Sequence, residues 1–308
     1  MALRPQALVA ALLVALAACA VPPAPVQRGS ALAAPAVRHR AAAGPSVRRV
    51  AVLVMENREY GQVIGNPAAP FVNRLAGRSA LATRSFAASH PSLPNYLALL
   101  GGSTFGISSD CTSCYVHAAN LVDQLERHGI SWRAYMQGLP SVCDPIALSG
   151  RYAKKHDPFL YFDSIRNVPS RCANVVSFRR LHIDVSNGTL PSFVWITPDL
   201  CNDGHDCTTS VADRFLHGLV PSLLSALGPS GVLFLTWDEG GTDAGCCRLA
   251  HGGHVVTIAA GPGARRGYRS AARFDTYSIL RTIEDLFGLR ALHHAGCACT
   301  RSMTSLLR

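Results

Sequence analysis

Three segments far apart in the chain carry the same kind of oxygen donor: Glu56-Asn57, Asn202-Asp203-Gly204-His205-Asp206 and Trp237-Asp238-Glu239-Gly240-Gly241. A fourth, His90-Pro91-Ser92-Leu93-Pro94-Asn95-Tyr96, offers a hydroxyl two residues ahead of a proline suited to the first turn of a helix. Carboxylate and amide oxygens are hard ligands. Three or four of them gathered without cysteine suit a divalent cation that polarises a phosphoryl oxygen and lowers the pKa of a coordinated hydroxyl. Ser92 beside such an ion would behave as an alkoxide-like nucleophile. Free backbone N–H groups at the helix start would face a bound phosphate, and Asn95 would add a side-chain donor as charge builds. A serine at such a place also suits an N-cap, but the acidic segments favour the nucleophile. The chemistry expected is metal-assisted hydrolysis of a phosphoric ester.

Such residues need a scaffold that brings distant segments to one edge. Continuous apolar runs at Val50–Val54, Ser192–Ile196, Val232–Thr236 and Val255–Ala260 read as buried strands. Between them, Phe71–Gly77, Asn95–Leu100, Ala118–His128, Thr209–Leu227 and Thr276–Phe287 read as helices, the last stopped by Gly288. The alternation predicts an α/β fold, a mostly parallel central sheet flanked by helices on both faces. In open sheets of this kind ligands bind beyond the carboxyl ends of the strands, which is where Glu56-Asn57 and Asp238-Glu239 fall. Adjacent strand residues point to opposite faces, so both members of a pair reach one ion only where the strand has ended or bulged. Gly240 and Gly241 permit that turn. No fixed period repeats, which excludes solenoids and propellers.

The ordered set Met55-Glu56-Asn57, His90 to Tyr96, Cys201 to Cys207, Trp237 to Gly241 and His251-Gly252-Gly253-His254 resembles the bacterial phosphoesterase family of acid phosphatases and phospholipases C, within the alkaline-phosphatase superfamily. The likeness runs from about Val50 to Leu289 and includes Tyr277 to Asp285. It implies a phosphoseryl intermediate on Ser92, and one divalent metal held by Glu56, Asn57, Asp238 and Glu239 that also touches the serine oxygen. It implies further that Asn95 and His205 contact the substrate phosphate, and that His254 acts on the leaving group or carries a second ion. Glu239 stands where many superfamily members have histidine, which points to a one-metal site. Asp203 is a candidate for a second metal, and His90 and His251 are equally suited to structural roles.

Competing readings differ in kind. A sulfatase would need Cys/Ser-x-Pro-x-Arg, and no such run accompanies the acidic pairs. A phospholipase C-type phosphodiesterase remains the alternative to a compact acid-phosphatase-like monoesterase. A non-enzymatic, polyanion-binding surface lipoprotein is a further one. Residues 1–18 read as a signal peptide ending in Leu16-Ala17-Ala18-Cys19, similar to a lipoprotein cleavage box. Residues 19–48 then form a lipidated cysteine and an Ala/Pro-rich tether, and 49–308 one phosphoesterase domain. The expected setting is exported, at the cell surface through a lipid anchor at Cys19 or secreted, with a phosphate ester as substrate and a phospholipid as one candidate. Of 11 cysteines, ten remain once Cys19 is set aside, an even number suited to disulfides in an oxidising compartment. Cys111-x-x-Cys114 lacks the second pair of a zinc ribbon. The net charge of +10 favours anionic partners, but the scattered arginines make no nucleic-acid motif.

Overall fold

The structure, a computed structural model, describes residues 47–308. The expected signal peptide and the Cys19 anchor lie outside the described residues, as does the tether up to residue 46. The described residues form eleven strands: β1 Arg49–Met55, β2 Ala80–Phe86, β3 Trp132–Met136, β4 Leu148–Ser149, β5 Tyr152–Ala153, β6 Val175–Ser177, β7 Phe193–Thr197, β8 Gly231–Trp237, β9 His254–Ala260, β10 Tyr268–Ser270 and β11 Phe274–Asp275. Nine of them form one sheet in the order β10-β2-β9-β8-β1-β7-β3-β6, with β11 also on β2. All its pairings are parallel except those of β9, which runs against both β8 and β2. β4 and β5 make a separate antiparallel hairpin. The expected α/β fold with a mostly parallel sheet is the fold observed.

β1 shows why the sequence reads this way. Val50, Val52 and Val54 enter one core layer while Ala51, Leu53 and Met55 enter the other, so a strand covered on both faces is apolar throughout. One layer is closed by α2 (Ser92–Gly101), α3 (Leu121–Arg127) and α8 (Thr276–Phe287), to which the short α4 (Asp163–Arg166) and α5 (Pro169–Cys172) add Ile165 and Cys172, the other by α1 (Pro70–Arg78), α6 (Phe178–Asn187) and α7 (Thr209–Leu227). In α8, Ile279, Leu280 and Ile283 are fully buried, each contributing about 2 kcal/mol by leaving water. Asp275 caps that helix on the Ser278 amide, and Gly288 ends it in the left-handed conformation. The helix expected from Asn95 begins three residues earlier, with Ser92 at its first position and Pro94 still within the first turn, where no N–H is required.

Four disulfides join Cys111–Cys114, Cys143–Cys172, Cys201–Cys207 and Cys297–Cys299. Cys246 and Cys247 stay unbonded, so not all ten cysteines pair. This disulfide content is that of a protein matured in an oxidising compartment.

Candidate active site

β1 and β8 end level, Met55 opposite Trp237, and the residues just past each end meet. Asp238 N donates to Met55 O at 2.9 Å, and Asn57 N donates to Asp238 Oδ1 at 3.1 Å. Asn57 adopts φ +53°, a left-handed turn that asparagine tolerates better than most residues and that stops the strand there. From β7, the following loop brings Asp203 O to Glu56 N at 3.0 Å, and Arg58 ties the same loop down through Cys207 O. The Cys201–Cys207 bridge closes that loop around His205.

Ser92 arrives from the other side as the first residue of α2. Its hydroxyl caps nothing. Ser92 Oγ donates to Glu56 Oε2 at 3.1 Å and lies 3.4 Å from Glu239 Oε1. One helical turn on, Tyr96 Oη donates to the other oxygen of Glu56, because positions four apart share a helix face. Asp110 accepts from Leu93 N at 3.0 Å, so that amide is not free to face a phosphate. Asn95 is also placed differently from a free phosphate donor: its amide donates to Ser89 O and Pro91 O, at 2.7 and 3.1 Å, and accepts from Ser89 N. It fixes the turn ahead of Ser92.

Two further histidines shape the centre: His156, which no motif singles out, and His90, which opens the serine motif. His156 is fully enclosed, stacked on Tyr96, with Nε2 3.3 Å from Glu56 Oε2 and Nδ1 3.5 Å from Asp203 Oδ2. Donor atoms of Glu56, His156 and Asp203 lie within 4.8 Å of one another. His90 contacts Glu239 through Nδ1 and Thr242 O through Nε2 at 3.1 Å. At the rim, Lys155 Nζ donates to Asp110 Oδ2 at 2.9 Å and to His205 Nε2 at 3.2 Å. His205 Nδ1 faces Asp206 at 2.7 Å, which assigns its proton to that nitrogen. His254, by contrast, is packed against Tyr60 and Phe86 with Nε2 on Thr83 O at 3.0 Å, and no hydrogen bond joins it to the Ser92 cluster.

The electrostatics show a shortage of positive charge. Burial, with Asp238 and Asp203 adding to it, raises the Glu56 carboxyl well above its ordinary range. Burial and then Glu239 push Asp238 up to about 7, and burial together with Asp238 pushes Asp203 up to about 8. Burial, reinforced by Lys155 and His205, keeps His156 neutral. Lys155 stays charged: burial works against it, but Asp110 more than compensates. Asp238 Oδ2, Asp203 Oδ2 and His156 Nε2 are buried without a hydrogen-bond partner. Unpaired lone pairs on two buried carboxylates and a neutral imidazole fit a divalent cation.

Glycines make the approach of the two loops possible. A side chain on Gly240 would sit 2.0 Å from Glu59 Oε2, and one on Gly253 would meet the Gly240 Cα at 2.5 Å. Glu59 in turn accepts from Gly241 N, Thr242 Oγ1 and His254 N, each at 2.9 Å. His254 thus sits at the base of the loop, where β9 begins.

A family model, the phosphoesterase family, matches residues 66–290. The chain is 32% identical to phosphatidylinositol-3-phosphatase of Mycobacterium tuberculosis over 244 residues, 78% of this chain and 77% of that protein. It is 30% identical to a probable acid phosphatase of Kluyveromyces lactis over 250 residues, 77% of this chain but only 57% of that protein. Among solved structures, a protein of the alkaline phosphatase superfamily from Vibrio parahaemolyticus shares the fold, with a TM-score of 0.58 at 11% identity over 86% of this chain and 72% of that one. The chain thus belongs to the phosphoesterase family and is a hydrolase of phosphoric esters.

Proposed function

We propose that the protein is a phosphomonoesterase in which Ser92 is the nucleophile and the carboxylates around it hold a divalent cation. The observation that carries this reading is the setting of Ser92 Oγ, between Glu56 Oε2 and Glu239 Oε1, amid buried acids whose lone pairs are unpaired. Glu56, Asp238, Glu239 and Asn57 line the serine side of the cluster. His156 and Asp203 add donors to the cluster, His156 Nε2 at the same Glu56 oxygen that Ser92 faces, and this further set would suit a second ion beside the single one expected. A cation held there supplies the charge that acidifies the serine hydroxyl and offsets the phosphoryl oxygens.

The chain's own residues do the rest. Lys155, held against His205, presents a cationic rim for phosphoryl oxygens, while Asn95 and Tyr96 fix the serine's turn and the carboxylate it faces. Ser92 Oγ forms a bond to phosphorus as the ester O–P bond breaks, and its proton passes to the carboxylate it already donates to before reaching the departing alcohol. Water then cleaves the Oγ–P bond, restoring the serine and releasing inorganic phosphate. His254, bonded to Glu59 and Thr83 and packed on Tyr60 and Phe86, takes no part in these steps. The monoester reading draws support from the names of the relatives, and that of the mycobacterial one points to a phosphorylated lipid headgroup as substrate.

The test is hydrolysis of p-nitrophenyl phosphate beside its bis-ester by metal-stripped protein, with divalent ions restored singly. Ser92→Ala and Asp238→Ala are each expected to lose about three orders of magnitude in kcat/KM with the fold kept. Retained activity in either would sink the assignment, and preference for the bis-ester would move the reading to a phospholipase C-type diesterase.

A further inference from the structure

Large apolar side chains stand exposed at five described positions, and three of them fall close together: Val142 at 56%, Ile146 at 40% and Leu148 at 60% of full exposure. The segment is held outward. Cys143 is bonded to Cys172 of α5 and donates through its amide to Val175 O at 3.0 Å, while Lys154 N donates to Ala147 O at 3.0 Å. A pinned backbone keeps these side chains from folding back onto the core.

The same segment adjoins the reaction centre. β4 carries Leu148 opposite Ala153 in β5, and β5 runs directly into Lys154, Lys155 and His156. Arg151, exposed at the hairpin tip, accepts through its carbonyl from Leu200 N at 3.0 Å, clamping the hairpin on the loop that bears Asp203 and His205. Nearby, the half-exposed Tyr115 ring lies under the Arg166 guanidinium at 3.6 Å, with the Lys154 ammonium 5.0 Å from its centre. Asp144, within the patch, is already engaged by Ser141 Oγ and Ile146 N. Lys154 is buried with its ammonium on Thr112 O and Arg166 is paired with Asp163, so the exposed cation beside the patch is Arg151. Apolar side chains next to an exposed arginine and a half-exposed tyrosine match the boundary between lipid headgroups and acyl chains, where anionic phosphates lie over hydrocarbon.

We propose that Val142, Ile146 and Leu148 dock the protein on an anionic phospholipid surface, with Arg151 against headgroup phosphates, so that a phosphorylated headgroup reaches Ser92 without leaving the bilayer. The delivery step rests on the phosphomonoesterase reading above; the docking itself does not.

The experiment uses the full chain with Cys19→Ser in every sample, so that no acyl group contributes. Co-sedimentation is measured with vesicles of equal parts phosphatidylcholine and phosphatidylglycerol, and with phosphatidylcholine alone. The parent protein should pellet with the anionic vesicles. The triple variant V142S/I146S/L148S should lose about ten-fold in partitioning, and R151E should lose the preference for anionic lipid. Both should keep the parent's thermal midpoint and its rate on p-nitrophenyl phosphate. A parent that stays in the supernatant with both vesicles, or a triple variant that pellets like the parent, overturns the proposal. So does a parent that elutes as a dimer where the triple variant elutes as a monomer, since the patch would then be covered by a second copy. Vesicle binding with no hydrolysis of the soluble ester supports docking and counts against the catalytic reading alone.

Discussion

Lys155 is the side chain on which substrate charge is expected to bear most directly. It shares its ammonium between Asp110 and His205, and the only other lysine in the chain is its neighbour Lys154, against 29 lysines and arginines in all. That rarity was a usable signal: in an arginine-rich chain a retained lysine pair followed by histidine marks a place where a compact point charge is preferred to a planar fork. The motif reading passed over it because the residues lie outside the acidic segments. Lys155→Met keeps the length of the stem and removes the charge. KM for p-nitrophenyl phosphate should rise by about ten-fold or more with a smaller fall in kcat, as for loss of a phosphate contact made in the ground state. An unchanged KM would assign Lys155 to holding Asp110 alone. Glu56 and Asp238 could be picked out because each sits where an apolar run stops, and Ser92 because it stands two residues ahead of a proline suited to a helix's first turn. Asn95 and His254 could be named but not oriented, since their partners, Ser89 and Pro91 for one and Thr83, Tyr60 and Phe86 for the other, are set by how the chain folds back on itself.

At the level of elements, α8 couples stability to pH through Glu284. This residue is fully buried, accepts from Leu292 N at 2.8 Å through one oxygen and leaves the other unpartnered. Burial raises its carboxyl from 4.5 to about 8. The folded chain therefore keeps a proton that the unfolded chain releases above pH 4.5, and the stability gained from the neutral acid is complete below that pH and lost as pH rises to about 8. Glu284→Gln preserves the acceptor for Leu292 N without the titration. Denaturant midpoints should show the variant gaining on the parent by a few kcal/mol across that window. A constant difference between the two would mean that Glu284 is ionised in the folded state. α8 was legible to the residue because its cap, its apolar stripe and Gly288 are local signals. β2, Ala80-Leu81-Ala82-Thr83-Arg84-Ser85-Phe86, was not, since a strand with Thr, Arg and Ser in its second half has no apolar run to betray it. Its place is set by β9, β10 and β11 alongside.

For the molecule as a whole, the site gathers acids from β1, β7 and β8 at one sheet edge, and their mutual repulsion is a standing cost that a cation would remove. Titrating a divalent ion into metal-stripped protein should raise the thermal midpoint by several degrees, since ligand at about 100 times its dissociation constant adds about 2.7 kcal/mol. Asp238→Asn should blunt the shift, and the absence of any shift with every ion tried would remove the metal from the mechanism. Sheet class and strand ends were legible at this scale because periodicity and composition report burial. The reversed direction of β9 was not, because the side-chain pattern of a strand buried on both faces is the same whichever way it runs.

That reversal shapes what the fold can become. Because β8 and β9 are antiparallel neighbours, residues 238–253 leave the sheet and re-enter it one strand away, pinned at the base by the interlocked Gly240 and Gly253. No crossover helix depends on their length. Evolution, or an engineer, can therefore lengthen, shorten or exchange the outer part of this segment, which carries Cys246 and Cys247, without rethreading the sheet, and so remodel one wall of the catalytic centre as a replaceable cassette.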